Sequence, residues 1–209
     1  MTEISLPYFV ARPAALPPWR GLVVIHEGNG ISPQLLRFCQ RLAGEGYAAV
    51  APDLFFRAGG TEAGGFAELM GSMDPDETLG DLIASREILE AMGASRVGVT
   101  GFCMGGSLAY RTALAGAGFG AAVGFYGAGI ANELGTPACP TLLFFGGDDP
   151  WVPAADIEKV AAHHSDTVVY PQATHGFMRD GSDSYDADAA EDAWKRTLDF
   201  FGQHLGGGV

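Results

Sequence analysis

The hydrophobic pattern of this 209-residue chain alternates between short, continuous apolar runs and longer stretches whose apolar residues recur at helical spacing. Continuous runs of this kind are typical of parallel strands that are buried on both faces. They predict strands at residues 21–27, 47–51, 119–126, 141–145 and 167–170, and one that begins at residue 97. A short edge strand is expected at residues 4–10, because Pro7 cannot donate to a central ladder.

The stretches at helical spacing lie between these runs and carry their own start signals. Ser32 and Asp74 are suited to cap helices that begin at Pro33 and Pro75. Further helices are predicted directly after the strand that begins at residue 97, at residues 153–163 and at about residues 186–204.

This alternation predicts an α/β protein with a mostly parallel sheet of about seven strands and helices on both faces. The length, and the lack of any linker-like stretch, favour one domain over residues 1–209. Ligands of such sheets bind beyond the carboxyl ends of the strands. That rule brings together four residues that are far apart in sequence: Glu27, Cys103, Asp149 and His175.

The segment from Gly101 to Gly105, Gly-Phe-Cys-Met-Gly, has the G-x-S-x-G spacing of a nucleophile elbow, with Cys103 in place of serine. Such an elbow is a strained strand-to-helix turn, and a Cβ two residues before or after the nucleophile would collide with the neighbouring backbone. The turn also places the thiol at a helix N-terminus, where unpaired N–H groups and the dipole favour the thiolate. Taken alone, the segment also fits a small, inert cysteine in a glycine-rich turn.

A cysteine nucleophile needs a base, and the base needs an acid that orients it. Both follow Cys103 in the order nucleophile, acid, histidine that the α/β-hydrolase plan requires. His175 lies in a loop after the last predicted strand and precedes a glycine. Two acids follow the strand at residues 141–145 and compete for the orienting role, Asp148 and Asp149, and we favour Asp149.

Residues 54–73 show neither hydrophobic pattern. The segment is rich in glycine, and its phenylalanines Phe55, Phe56 and Phe66 are expected to be exposed. This composition predicts an irregular, mobile flap over a site.

The composition limits which kinds of partner, and which cellular compartment, are expected for this protein. A net charge of −13 opposes binding to nucleic acid or to an anionic membrane. No run approaches the ~18 apolar residues of a membrane span, and no signal peptide is visible. Three widely separated cysteines fit a reducing compartment, and no His or Cys spacing suggests a metal site. We expect a cytoplasmic monomer or small homo-oligomer that uses no cofactor.

Four motifs in order carry a resemblance to a known family. They are Glu27 after the first core strand, the elbow Gly-Phe-Cys-Met-Gly-Gly, Asp-Pro-Trp-Val-Pro from Asp149, and His-Gly-Phe-Met-Arg from His175. Together they resemble the dienelactone hydrolase family over about residues 21–201, nearly the whole chain. The resemblance implies a small α/β-hydrolase fold without a large cap domain, and hydrolysis of a small ester or lactone by a cysteine nucleophile.

The resemblance also implies a role for each motif. Cys103, Asp149 and His175 would form the triad. Glu27 would contact the thiol and help to generate the thiolate when substrate arrives.

Substrate contacts follow from the same resemblance. The amides of Met104 and Gly28 would form the oxyanion hole, where such donors lower a barrier by roughly 3–4 kcal/mol each. Arg179 would bind a substrate carboxylate. Tyr126 would lie near the pocket, although a plain core aromatic fits that position equally well.

One feature of the family is missing. Its second carboxylate-binding arginine belongs to the region before the helix that Asp74 caps. This chain offers only Arg57 there, which we therefore count among the candidate substrate-binding residues. The N-terminal hairpin is also shortened to about one strand. Hydrolysis of a small ester or lactone is therefore expected, whereas specificity for a dicarboxylate-like dienelactone is not.

Two other functions compete with hydrolysis. Gly28 and Gly30 after a strand, with Asp53 at the next strand end, imitate a dinucleotide-binding fingerprint, but Pro33 occupies the third glycine position. A non-catalytic protein of the same fold that binds a small ligand, or senses oxidation at Cys103, would keep the same elbow. Release of acid from p-nitrophenyl acetate or a lactone distinguishes a hydrolase from such a sensor.

Overall fold

A computed structural model describes residues 7–206, which form one seven-stranded sheet flanked by helices. The strands are β1 (Tyr8–Ala11), β2 (Trp19–Ile25), β3 (Tyr47–Pro52), β4 (Ala94–Phe102), β5 (Ala122–Phe125), β6 (Thr141–Gly146) and β7 (Thr167–Tyr170). Their order in the sheet is β1-β3-β2-β4-β5-β6-β7. All neighbours are parallel except β1, which runs antiparallel to β3 at the edge.

Within residues 7–206, five α-helices lie between strands and a sixth follows β7. They are α1 (Pro33–Gly44), α2 (Phe66–Ser72), α3 (Pro75–Ala91), α4 (Met104–Leu114), α5 (Ala154–His163) and α6 (Ala187–Leu205). Two of the predicted caps are present: Ser32 Oγ accepts from the Leu35 amide at 3.3 Å, and Asp74 accepts from the Asp76 and Glu77 amides at 3.0 and 2.9 Å.

The helices cover both faces of the sheet because successive side chains of a strand point to opposite sides. In β2, Leu22 and Val24 pack in one cluster with residues of α1 and α6. Val23 and Ile25 pack in a second cluster with residues of α3 and α4. The predicted α/β architecture is therefore confirmed. The part of the predicted first strand before residue 7 lies outside the described residues.

The prediction for residues 54–73 was wrong in two respects. The segment contains α2 and two short 3₁₀ turns, Phe56–Ala58 and Thr61–Ala63. Phe55 is buried against the His26 ring, with ring centroids 4.8 Å apart, whereas Phe56 and Phe66 are each 50% exposed. The helix α2 could not be recognised in the sequence because glycines flank it and Leu69 is its only buried residue. No helix among residues 7–206 is long and apolar enough to span a membrane.

Candidate active site

The elbow holds Cys103 in a backbone conformation that L-residues rarely adopt. Its φ is 54° at the junction between β4 and α4. A Cβ on Gly101 would lie 2.3 Å from the Gly105 carbonyl oxygen, and one on Gly105 would lie 2.5 Å from the Ile25 carbonyl oxygen. The two glycines are thus fixed by close backbone packing, as the spacing of the motif predicts.

His175 and Asp149 meet in the structure although they come from different loops. The Nδ1–H of His175 donates to Asp149 Oδ2 at 2.8 Å, and both side chains are buried. The other carboxylate oxygen of Asp149 accepts from the amides of Trp151 and Val152 at 2.7 and 3.1 Å. Asp148 is exposed, so the structure pairs His175 with the acid that the sequence analysis favours.

The charges around His175 favour its protonated form. Burial lowers the pKa of His175, but the hydrogen bond with Asp149 and the neighbouring Cys103 sulfur outweigh burial and raise it to about 9. Cys103 itself is half-buried and lines a cleft together with His175. The Cys103 sulfur therefore helps to hold the proton on the imidazole that lines the same cleft.

Glu27 uses both of its carboxylate oxygens. Oε1 accepts from the Tyr126 hydroxyl at 3.0 Å, and Oε2 accepts from Arg179 Nε at 2.7 Å. The Glu27 side chain is only 7% exposed. The structure thus brings Glu27 to the site edge, where its hydrogen-bond donors are Tyr126 and Arg179 rather than the thiol.

Tyr126 is both a core aromatic and a part of this network. Its side chain is fully buried and its ring packs against His175 at a centroid distance of 4.9 Å. Burial, followed by the nearby Glu27 carboxylate, raises the pKa of Tyr126 well above its ordinary value. The hydroxyl therefore stays protonated and donates to Glu27.

Arg179 reaches the cleft because a glycine makes room for it. Gly176 has a φ of 82°, and a Cβ there would lie 2.9 Å from the Arg179 guanidinium carbon. Within residues 7–206 only Nε of this guanidinium is hydrogen-bonded, to Glu27. The remaining N–H groups are available to a ligand in the cleft that Arg179 lines.

His26 helps to hold the backbone around Glu27 in place, a role that the sequence analysis missed. This buried ring donates from Nδ1 to the Glu27 carbonyl oxygen at 2.6 Å and accepts at Nε2 from the Leu54 amide at 3.1 Å. Burial lowers the pKa of His26 and so favours the neutral ring, which can donate one hydrogen bond and accept the other. The only sequence signal was its position next to Glu27 at a strand end.

Of the residues described so far, Glu27, Cys103, His175 and Arg179 line a cleft with a volume of about 510 Å³. Its walls combine these four residues with apolar side chains of α2 and α4 and with Trp151, which is 71% exposed. The Phe66 ring lies over Gly28, where an added Cβ would come within 2.4 Å of it. Within residues 7–206, the amides of Gly28 and Met104 donate to no protein acceptor.

The structure does not bring Arg57 to this cleft. Its guanidinium forms two hydrogen bonds with Asp81, one of them 2.8 Å long, and lies 3.7 Å from Glu77. The physical reason is that the Asp81 side chain is only 3% exposed and needs a cationic partner. The expectation that Arg57 contacts substrate is therefore not supported by its position.

Residues 7–206 contain no cluster of side chains suited to bind a metal ion. No group of three or more His, Cys, Asp or Glu side chains is placed to hold an ion. The three cysteines are not joined by disulfides.

A nucleophile elbow on a mostly parallel sheet, followed in sequence by an acid and a histidine that meet beside it, places the protein in the α/β-hydrolase class. A sequence profile of the dienelactone hydrolase family matches residues 6–205. The chain belongs to the dienelactone hydrolase family, and it is an enzyme of the carboxylic ester and lactone hydrolase class.

Individual relatives agree with this assignment. A Yersinia pestis protein named "Putative carboxymethylenebutenolidase" is 32% identical, over 96% of this chain and 84% of that protein. An Azospirillum brasilense protein of the same name is 34% identical, over 99% of this chain and 100% of that protein. The crystal structure of a Klebsiella pneumoniae protein described as "Putative Dienelactone Hydrolase" superposes with a TM-score of 0.86 at 30% identity, covering 95% of this chain and 93% of the other.

Proposed function

We propose that the protein hydrolyses a small ester or lactone through a thioester intermediate on Cys103. The observation that carries the proposal is the buried His175–Asp149 hydrogen bond beside a cysteine at a strained strand-to-helix turn. A protonated imidazole next to the sulfur fits a thiolate–imidazolium pair as the resting form.

The first half of the reaction forms the thioester. The Cys103 thiolate attacks the carbonyl carbon, and the Gly28 and Met104 amides receive the negative oxygen that develops. The carbon–oxygen bond to the leaving group then breaks, and the imidazolium of His175 gives its proton to the leaving oxygen. The raised pKa of His175 supports this order, because the ring begins the cycle protonated.

The second half releases the acid. His175, now neutral, takes a proton from water, and the hydroxide attacks the thioester carbon. The carbon–sulfur bond breaks, which regenerates the thiolate and the imidazolium. Asp149 keeps the ring in the Nδ1–H tautomer throughout, so that Nε2 is the nitrogen that handles the proton.

Glu27 and Arg179 are proposed to prepare the site for a substrate that carries a carboxylate. The unbonded N–H groups of Arg179 would bind that carboxylate. Its arrival would weaken the pairing of Glu27 with Arg179. Glu27 would then help to deprotonate the fraction of Cys103 that is still a thiol, in addition to the thiolate already paired with His175.

The test compares two cysteines. Cys103→Ala should lower kcat/KM for p-nitrophenyl acetate by at least about 1,000-fold, since it removes the nucleophile. Cys139→Ala, at another half-buried free cysteine, is the matched control and should retain activity. Full activity in Cys103→Ala would contradict the proposal. Modification of Cys103 without turnover would favour the oxidation-sensing alternative.

A further inference from the structure

A second cavity, of about 250 Å³, lies beside the candidate cleft between α2, α3 and α4. Three residues line both cavities: Met70, Leu108 and Arg111. The cavities are therefore neighbours with a shared wall.

The second cavity is mostly apolar and its apolar walls are incompletely covered. Four of its lining side chains are half-buried: Met70, Met73, Leu79 and Leu108. Apolar surface that remains in contact with water gains free energy when another apolar group covers it. The cavity therefore favours an apolar occupant.

The charged residue of the shared wall does not change this preference. Arg111 forms two hydrogen bonds with Glu133, one of them 2.6 Å from Nε to Oε2. This pairing occupies the guanidinium, and the methylene stem remains as apolar surface for the cavity wall. An anionic group would have to compete with Glu133 for this arginine.

Helix α4 connects the nucleophile with the second cavity. Cys103 caps the helix, Leu108 belongs to both cavities, and Ala115 at the other end lines only the second cavity. At a rise of 1.5 Å per residue, the axial distance from Cys103 to Ala115 is about 18 Å. A chain attached at the sulfur and lying along α4 would therefore pass from one cavity into the other.

The proposed chemistry decides which part of an ester takes this route. The leaving oxygen must face His175 to receive its proton. His175 and Trp151 line the cleft but not the second cavity. The leaving alcohol thus belongs on the His175 side, and the acyl group is the part that can extend past Leu108.

We propose that the second cavity is an acyl-chain subsite, which makes esters of medium-length, unbranched fatty acids better substrates than acetate esters. The inference rests on the proposed function of Cys103 and names the substrate class of that same site. It assigns specificity to α2, α3 and the outer half of α4.

The experiment measures kcat/KM for p-nitrophenyl esters from acetate to decanoate, each below its critical micelle concentration. We expect kcat/KM to rise with each added methylene, by up to about fourfold if the methylene is fully buried. A second series, acetates of alcohols of increasing length, should show no comparable rise.

Two variants should fill the second cavity without touching the cleft, Leu79→Trp and Ala115→Trp. Each should leave acetate hydrolysis unchanged and abolish the rise with acyl length. Leu16→Trp, at a leucine that is 87% exposed and lines neither cavity, is the matched control and should retain the wild-type profile. The use of two variants covers the case in which one of them does not fold.

The outcomes separate the subsite from the proposed function. Turnover with a flat acyl-length profile, or a rise that both tryptophan variants keep, would overturn the subsite and leave the proposed function intact. A change in oligomeric size in both variants, with an unchanged profile, would show that the cavity is a contact between copies of the chain. No turnover of any ester would overturn the proposed function and the subsite together.

Discussion

In two arginine–carboxylate pairs of this molecule the arginine side chains are similarly exposed, but they differ in how many N–H groups remain free to bind a ligand. At what we call the α3 corner, residues Arg57, Gly80 and Asp81, both oxygens of the buried carboxylate bond to Arg57. At the site edge, Glu27 receives only Nε of Arg179. The two arginine side chains are 35% and 32% exposed, so exposure does not distinguish them.

The difference lies in the donors that remain. A guanidinium has five N–H donors on three nitrogens. At the α3 corner each of the three nitrogens of Arg57 lies near a carboxylate oxygen of Asp81 or Glu77, and Arg57 does not line the cleft. Arg179 keeps its terminal N–H groups at a cleft that Cys103 also lines. A paired arginine is therefore a candidate binding residue only where its partner leaves donors open toward a cavity.

Two glycines also differ between the two regions: Gly105 at the elbow is closely packed, whereas Gly80 at the α3 corner is not. A substitution at Gly105 is expected to have the largest effect on stability. Gly105→Ala should lower the free energy of unfolding by about 3 kcal/mol or more, because the new Cβ would lie 2.5 Å from the Ile25 carbonyl oxygen, where backbone must move. Urea denaturation checks this. A variant as stable as the wild type would show that the elbow is not held by this close packing.

The arginines themselves give the next effect. Arg179→Ala should raise KM for a carboxylate-bearing ester roughly 10- to 100-fold, the value of a charge-assisted hydrogen bond, and should change KM for a neutral ester far less. Steady-state kinetics on the two esters measures this. Arg57→Ala is the matched control, expected to lower stability and leave both KM values unchanged. Equal effects of Arg179→Ala on both esters would remove Arg179 from recognition.

The pH dependence of stability and of the imidazole titration tests the charges around His175. The pKa of His175 is raised from 6.5 to about 9, so the protonated ring stabilises the fold fully below pH 6.5, and this contribution is lost as the pH rises through about 9. An NMR titration of the imidazole should give a midpoint near 9 in the wild type. Cys103→Ser should lower the midpoint, because it removes the sulfur that raises the pKa of His175. A midpoint that stays the same would contradict the sulfur–imidazole interaction.

The smallest effect is expected at the α3 corner. Gly80 lies inside α3, and a Cβ there would meet nothing within 4 Å. Gly80→Ala should therefore raise the free energy of unfolding by about 0.5–1 kcal/mol, through better helix propensity. The same denaturation measurement serves, and a loss of stability would show that the corner is more tightly packed than its geometry indicates.

The fold and the catalytic candidates could be predicted because they depend on local signals. Buried apolar runs, helix caps and the spacing around Cys103 are properties of residues that are close in sequence. The candidate site then follows because the carboxyl ends of parallel strands meet at one edge of the sheet. The choice between Asp148 and Asp149 was harder, since it depends on which carboxylate the chain turns inward after β6.

Pairings across the fold could not be predicted. Asp81 takes Arg57, and Tyr126 donates to Glu27, through contacts between residues distant in sequence. The second cavity likewise arises where α2, α3 and α4 meet, and α2 itself carried too weak a hydrophobic pattern to be recognised.

The central claim is that Cys103 becomes acylated during turnover. Rapid quenching of the enzyme with p-nitrophenyl acetate, followed by peptide mass spectrometry, measures this directly. We predict an acetyl group on the peptide that contains Cys103, formed at the rate of the p-nitrophenol burst and removed at the rate of steady turnover. Steady turnover with an acetyl group on another residue, or with no acyl-enzyme even when deacylation is slowed by Asp149→Asn, would contradict it.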